Sequence, residues 1–466
     1  MTLPIANSAL KRAVNIRMLD EPTEDRGIAS SAPLWNRGFV SLLATQFVEA
    51  STDNVVKTLL TIAVAAGKPW EFVFGPGGGG WIGVAFTVPF ILLSAWAGRI
   101  ADRNSKRSVT VVLKLAAFVV VVLAAFGFGF GDAWLAMAAL ILFAIISAFF
   151  GPAKYGMIAE LVARREIARA NGVINMATNV AVIVGVLLAG ILADEWEGSF
   201  ATVATDGTRL VSGANASVAA STLGAWLPGI ALAVLVLVGF LTCLTLPRLR
   251  AQMPSLPRVW DPISTYVTTI REMSRSPLLA VALSWTFFYF AAAVALLVLP
   301  DYSKILSVSN AQVSYLMGGL GVSIGISCVM AAWLDRPHRR RLFVPAGALG
   351  LAAGFLALGL MPPTYTNVAV LVSFTGLVAG FYIIPLQSML QMLAPDESRG
   401  RCLGTANGMS FMMAAIGSAM FLGLRKSGME SNRIFAVLGI LCVVAAVVTW
   451  WRLRRKDLSG KRRSAQ

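Results

Sequence analysis

The sequence predicts an all-α polytopic membrane protein, with twelve transmembrane helices arranged as two six-helix halves. Three observations predict it. The 466 residues are 57% hydrophobic and only 13% charged, which is about half the charged fraction of a soluble chain. Apolar runs recur along the whole length, each of the ~20 residues that cross a bilayer as a helix. Finally, a charged turn returns. GRIADRNSKR at Gly98–Arg107 reappears in altered form as AAWLDRPHRR at Ala331–Arg340, offset by 233 residues in a chain of 466. The same offset relates Pro152 in FFGPAKYG to Pro385 in FYIIPLQS, and RANG at Arg169–Gly172 matches TANG at Thr405–Gly408 three residues further on.

Runs this long satisfy their backbone internally only as helices, so barrel strands are excluded. Residues 1–37 are expected to be a disordered cytoplasmic lead. They carry Lys11, Arg12, Glu21, Glu24, Asp25 and Arg26 and lack the apolar core of a secretory signal. The first half, 38–246, holds spans at 38–64, 80–100, 108–130, 134–158, 170–193 and 222–246. Gly75–Gly80 leads into the second span and lacks the Lys-Ser/Thr ending of a phosphate-binding loop. The loop Asp194–Gly224 is polar, with Asp194, Glu195 and Glu197 at its start, and is expected outside the membrane.

A linker at 247–277 follows. Pro247, Pro254 and Pro257 break any continuous helix. Asp261-Pro262 then reads as N-cap and first helical residue, with Ile263, Tyr266, Val267, Ile270 and Met273 at helical spacing behind it. This predicts a short amphipathic helix on the membrane face, acting as a tether. The second half, 278–452, holds spans at 278–300, 311–334, 342–362, 366–393, 402–424 and 431–452, and a basic tail occupies 453–466.

The net charge of +16 follows topology. Even-numbered loops and the tail concentrate the basic residues, among them Arg99, Arg103, Lys106, Arg107, Arg164, Arg165, Arg336 and Arg339. The positive-inside rule puts those loops and both termini in the cytoplasm. The charge is then for membrane lipids, not nucleic acid. Cys243, Cys328, Cys402 and Cys442 lie in or at the ends of spans without paired spacing and read as packing residues. The single histidine, His338, sits in a basic turn, and an HExxH arrangement is absent. No catalytic residue, metal or cofactor is expected, and the chain is not read as an enzyme.

The first span carries the strongest functional signal. Gln46, Glu49, Asp53 and Lys57 fall three or four residues apart on one helix face, with Asn54 beside them. Each charge costs ~2.5–3.5 kcal/mol at the membrane centre, so the stripe must face protein or a watery cavity. It either lines a substrate path or holds a structural ion pair with Lys57. In the fifth span Asn171, Asn175 and Asn179 repeat at intervals of four, to bind a head group or neighbouring helices. Lys154 and Tyr155 follow Pro152, where Lys154 is placed to meet a phosphate, Asp102 or the lipid interface. Gln387 and Gln391 share a face of the tenth span, and Trp285, Phe287, Phe288 and Tyr289 make the seventh span aromatic. That asymmetry suits an amphipathic substrate. The expected binding set is Gln46, Glu49, Asp53, Asn54, Lys57, Lys154, Tyr155, Asn175, Asn179 and Gln387.

GRIADRNSKR resembles the signature loop of the major facilitator superfamily, G-x-x-x-D-R-x-x-x-[RK]. The resemblance implies that fold and an aspartate that meets the other half near a helix N-terminus, a contact of ~0.3–1 kcal/mol. Gly98, Asp102, Arg103, Arg107, Asp335 and Arg336 would then serve gating, the second copy more weakly because Ala331 replaces its glycine. SLLATQFVEASTDNVVKTLL, FFGPAKYGMIAEL, RANGVINMATNVAVIVGVLLAG and GFYIIPLQSMLQ are similar to the bacterial lysophospholipid transporter family. That likeness implies inward movement of lysophosphatidylethanolamine across the inner membrane and its reacylation by an acyltransferase. With the chain ending at Gln466, the acyltransferase is expected to be a separate partner. The likeness also implies a charge in the seventh span, and Leu278–Leu299 has none. The alternative is a proton-coupled exporter of drugs or amphipathic metabolites on the same fold, with Glu49 or Asp53 as proton site.

Overall fold

The computed structural model describes residues 32–64, 69–74, 78–204, 223–257, 261–308 and 310–463. The lead at 1–31, the first half of the glycine-rich segment (75–77) and residues 205–222 lie outside the described residues. Twelve long helices run in chain order: α1 Arg37–Ala63, α2 Gly78–Arg103, α3 Lys106–Gly129, α4 Ala133–Leu161, α5 Ile167–Ala204, α6 Leu223–Leu244, α7 Leu278–Val298, α8 Asn310–Leu334, α9 Pro337–Leu360, α10 Tyr365–Leu393, α11 Arg399–Lys426 and α12 Ser431–Arg463. A shorter linker helix spans Pro262–Ser274. Among the described residues, eleven helices are long and apolar enough to cross a membrane. The remaining long helix is α1, whose middle is diluted by Glu49, Asp53 and Lys57.

Helix starts follow local chemistry. The Asn36 side chain accepts from the Phe39 amide (3.0 Å) and donates to the Leu161 carbonyl (2.8 Å), so one residue caps α1 and ties it to the end of α4. Asp132 caps α4 by accepting from the Trp134 and Leu135 amides, both at 3.0 Å. Asp261 caps the linker helix with Pro262 at its first position. The Ser264 hydroxyl and amide hold the Asp261 carboxyl below the usual carboxylate range. Pro152 lies inside α4 and Pro385 inside α10, equivalent places in the two halves.

Each half buries its own apolar core, with Leu60, Val121, Leu140 and Phe143 among the residues of the first and Leu351, Phe355, Ile384 and Leu438 among those of the second. The structure differs from the sequence reading at two places. The acidic start of the Asp194–Gly224 loop continues α5 as far as Ala204. There Trp196 is buried, packs edge-on to Trp70 at 4.8 Å and donates to the Phe128 carbonyl at 2.9 Å. That burial outweighs the polar composition. In addition, α12 continues to Arg463 through the stretch read as a basic tail.

Candidate functional site

Three polar arrangements stand out: the α1 stripe within the first half, an amide ladder between the halves, and the repeated turn, whose first copy crosses from one half to the other. In the stripe, Glu49 is 8% exposed and forms an ion pair with Lys114 of α3. The Ser147 hydroxyl of α4 lies 3.2 Å from Glu49 Oε1 and donates to Asp53 Oδ2 at 2.7 Å. Asp53 Oδ1 is buried and has no hydrogen-bond partner among the described residues. Lys154 stands two helical turns beyond Ser147 on α4, its Nζ 4.4 Å over the Tyr155 ring and within electrostatic reach of both carboxylates. It makes no ion pair with a described residue.

Lys57 does not close the stripe. Its Nζ sits 5.4 Å over the Phe86 ring of α2, and Glu49 takes Lys114 instead. The structural Lys57 pair left open by the sequence is therefore not the one formed. Lys114 and Ser147 are the residues that sequence reasoning missed. Lys114 had a signal: it is a lone charge deep in an apolar span, and such a charge needs a counter-charge. Gln46 and Asn54 turn away from the cluster towards α5. The Gln46 amide donates to Thr178 at 3.1 Å, and Asn54 donates to the Ala50 carbonyl at 2.8 Å.

The amide ladder joins the halves. Asn175 donates to Gln387 Oε1 at 2.9 Å, while Asn171 and Gln391 exchange bonds at 3.1 and 2.9 Å. Asn179 donates only to its own helix, to the Asn175 carbonyl. Among the described residues Trp285 Nε1 is buried without a hydrogen-bond partner, and Gln387 Nε2, also buried, has only the Tyr155 hydroxyl nearby. Tyr155 reaches the second half by ring contact, 6.5 Å centroid to centroid with Trp285.

The first turn crosses to α11. Asp102 is fully buried, and its carboxylate accepts from the Gly400 amide (2.6 Å) and the Arg401 amide (2.9 Å). Those two groups belong to the open N–H donors of a helix start, here satisfied from the opposite half. Ser398, the N-cap of α11, donates instead to Glu272 of the linker helix at 2.8 Å. Gly98 makes the approach possible, because a Cβ there would overlap the Gly400 carbonyl. Arg103 and Arg107 stay within the first half and its linker. Arg103 donates to the Leu256 carbonyl (2.5 Å), and Arg107 donates to those of Leu246 (2.8 Å) and Leu244 (3.2 Å). The Asp102 carbonyl itself accepts from the Met253 amide at 2.8 Å.

The second turn does not cross. Asp335 accepts from Arg340 five residues on, with Nε 2.9 Å from each carboxylate oxygen, and Arg336 is exposed. The gap is filled by other contacts: the Arg169 guanidinium lies 4.7 Å over the Trp333 ring, and Arg164 donates to the Met392 carbonyl at 3.2 Å. The contacts between halves thus cluster at the end of the bundle that bears the basic turns. They run as far as the stacked pair Phe90–Phe411, 4.1 Å apart. α1 and α7 do not pack extensively against each other.

A sealed seam at one end, polar groups without partners midway and two helical halves define a membrane transporter. The chain belongs to the Major Facilitator Superfamily, whose family model matches residues 42–421 and 299–466. It is 27% identical over 440 residues to the lysophospholipid transporter LplT of Cronobacter sakazakii, covering 91% of this chain and 98% of that one. It is 26% identical over 412 residues to LplT of Serratia proteamaculans, covering 85% and 89%. Among solved structures, the human organic anion transporter MFSD10 superposes with a TM-score of 0.69 at 14% identity, covering 89% of this chain and 99% of that one. The transporter FucP in its outward conformation gives the same score and identity, covering 88% and 98%. These relatives are transporters, and the chain is a multi-pass secondary transporter rather than an enzyme.

Proposed function

We propose that the protein carries lysophospholipid, of the lysophosphatidylethanolamine type, inward across the bacterial inner membrane by alternating access. The carrying observation is the charge pattern around α1. Glu49 and Lys114 neutralise one another. Asp53 Oδ1 and the Lys154 ammonium are left over, an acceptor and a cation without ion-pair partners. A zwitterionic head group answers that pair, its ammonium to Asp53 and its phosphate to Lys154. The likeness to two lysophospholipid transporters supports the same reading. Glu49, Lys114 and Ser147 hold Asp53 in place, Tyr155 and Gln387 border the head group, and Gln46, Asn54, Lys57 and Asn179 serve the surrounding packing.

With the basic turns and both termini in the cytoplasm, as the positive-inside rule directs, the sealed end is cytoplasmic and the site faces outward. Asp102 and Gly98 are then the gate on that side, Arg103 and Arg107 brace it, and Asp335 and Arg336, in the turn that does not cross, take no part in it. A separate acyltransferase would consume the delivered lysolipid. The test is uptake of labelled lysophosphatidylethanolamine into vesicles containing the protein. Uptake is expected to fall at least tenfold in Asp53→Asn, and wild-type vesicles that take up none would overturn the substrate. A second reading, proton-coupled export of amphipathic drugs, is favoured by the partnerless Asp53 oxygen, which can take a proton. It requires transport that follows an imposed pH gradient, whereas lipid movement indifferent to the gradient excludes it.

A further inference from the structure

We infer that the linker helix Pro262–Ser274 is a bolt across the α2–α11 seam, with Tyr266 as its pin, and that the pin is withdrawn when the sealed end opens. This holds whatever the protein carries. The seam keeps one register along its length. From the sealed end inward, Asp102 accepts from the Gly400 and Arg401 amides, and Gly98 lies against the Gly400 carbonyl. The Ser94 carbonyl then stands where a Cβ on Gly404 would fall, and Asn407 donates to the Ser94 hydroxyl at 3.1 Å. Phe90 stacked on Phe411 ends the series. The place between Asn407 and Phe411 is filled by neither helix. Tyr266 enters it: the hydroxyl donates to the Ile91 carbonyl of α2 at 2.6 Å and occupies the space that a side chain on Gly408 of α11 would need. Ser398 to Gly408 is ten residues of α11, about 15 Å, so the pin sits deep in the seam and not at its rim.

The helix itself belongs to the second half. Met273 is fully buried in that half's core together with Leu278, where α7 begins. Glu272 accepts from Ser398, the N-cap of α11, at 2.8 Å. Tyr266 is therefore carried by one half and finds its acceptor in the other. Its site exists only while α2 and α11 adjoin. A contact made in one state alone shifts the equilibrium towards that state by its own free energy.

The faces of the helix explain why the bolt can be drawn. Thr265, Thr269 and Met273 point inward, whereas Ile263 and Val267 are 75% and 56% exposed. Lipid tails are as apolar as those two side chains, so hydrophobic burial does not fix the helix to the bundle. Its hold comes from packing and a few hydrogen bonds, each modest in net free energy. The Thr269 hydroxyl is buried without a hydrogen-bond partner among the described residues, which weakens the seated position further. An attachment of this kind breaks and re-forms within a transport cycle.

The experiment is maleimide labelling of the full chain in vesicles, resolved by peptide. Cys402 of α11 reports the seam and Cys442 of α12 reports general loosening, both being buried. Tyr266→Phe should accelerate labelling of Cys402 about fivefold, the change in population for one hydrogen bond lost from the sealed state, and leave Cys442 unchanged. Tyr266→Ala, which also removes the ring, should accelerate Cys402 further. In Gly408→Ala the new Cβ evicts the hydroxyl, so Cys402 should again label faster. Adding Tyr266→Phe to Gly408→Ala should then change nothing more, because both act on one contact. A Cys402 rate unaltered in Tyr266→Phe and Tyr266→Ala overturns the bolt. Equal acceleration of Cys402 and Cys442 overturns it too, since Tyr266 would then stabilise the whole fold and not the seam. Full additivity of Tyr266→Phe and Gly408→Ala refutes the place of the pin.

Discussion

Asp102 and Asp335 occupy equivalent places in the two halves, and Arg107 and Arg340 keep the same 233-residue offset. In the first turn Arg107 is drawn to the Leu244 and Leu246 carbonyls, where α6 has ended, and Asp102 is left to cap α11. In the second turn α12 runs on as helix to Arg463, so it offers no free carbonyls near its middle. Arg340 folds back onto Asp335, and the carboxylate is spent within its own turn. The same motif thus becomes a bridge in one half and a closed clasp in the other. What decides between them is where the neighbouring helix stops. The halves differ likewise in depth of charge. The first buries Glu49–Lys114 within its helices, whereas the ion pairs described in the second lie near helix ends.

The largest expected effect breaks the buried charge of the first half. Glu49→Ala or Lys114→Ala alone should cost about 3–5 kcal/mol, because each leaves one charge unpaired. The double variant Glu49→Gln with Lys114→Met should recover most of that in thermal unfolding. No recovery would mean that the pair does more than neutralise. Next, Asp102→Ala removes the acceptor of two amides, at about 3 kcal/mol for the sealed state. Cys402 lies fully buried on α11 beside that seam, so its reaction with maleimide should accelerate. Asp335→Ala should leave that rate unchanged, and equal acceleration by both variants would erase the contrast between the turns.

Gly98→Ala should cost about 1–3 kcal/mol by overpacking against the Gly400 carbonyl. The mirror change Ala331→Gly should cost only about 1 kcal/mol, a propensity effect. Denaturant titration distinguishes the two. The smallest effect is Tyr266→Phe. The Tyr266 hydroxyl donates to the Ile91 carbonyl of α2 at 2.6 Å, and its loss should cost about 1 kcal/mol.

The halves and the helix count were legible in the sequence, because hydropathy and a repeated motif do not depend on tertiary detail; the crossing aspartate was implied only by the resemblance of its turn to the superfamily's signature loop. Partner choice was not. Nothing local tells Glu49 to prefer Lys114 of α3 over Lys57, which lies eight residues along its own helix. The linker helix shows the same limit. Its N-cap and first residue were readable, yet its buried face is Thr265, Thr269 and Met273, while Ile263 is 75% exposed. The helix packs on α2 and α11 through hydroxyl bonds that an apolar-stripe reading ignores, Tyr266 donating to α2 and Ser398 of α11 donating to Glu272. Asn175 was readable as a partner for a head group or for a neighbouring helix, and Gln387 as a cavity residue, but their direct bond to one another depends on how the halves meet.

The linker divides into two segments with different allegiances. Residues up to Pro257 are held by Arg99, Arg103 and the Asp102 carbonyl, all in the first half. The helix from Pro262 reaches both halves, through Tyr266 to α2 and Glu272 to α11. For anyone cutting the gene in two, the natural break is therefore between Pro257 and Asp261. A fragment pair divided there keeps the first segment with its basic clasp and leaves the helix free to serve as the handle by which the two polypeptides find each other.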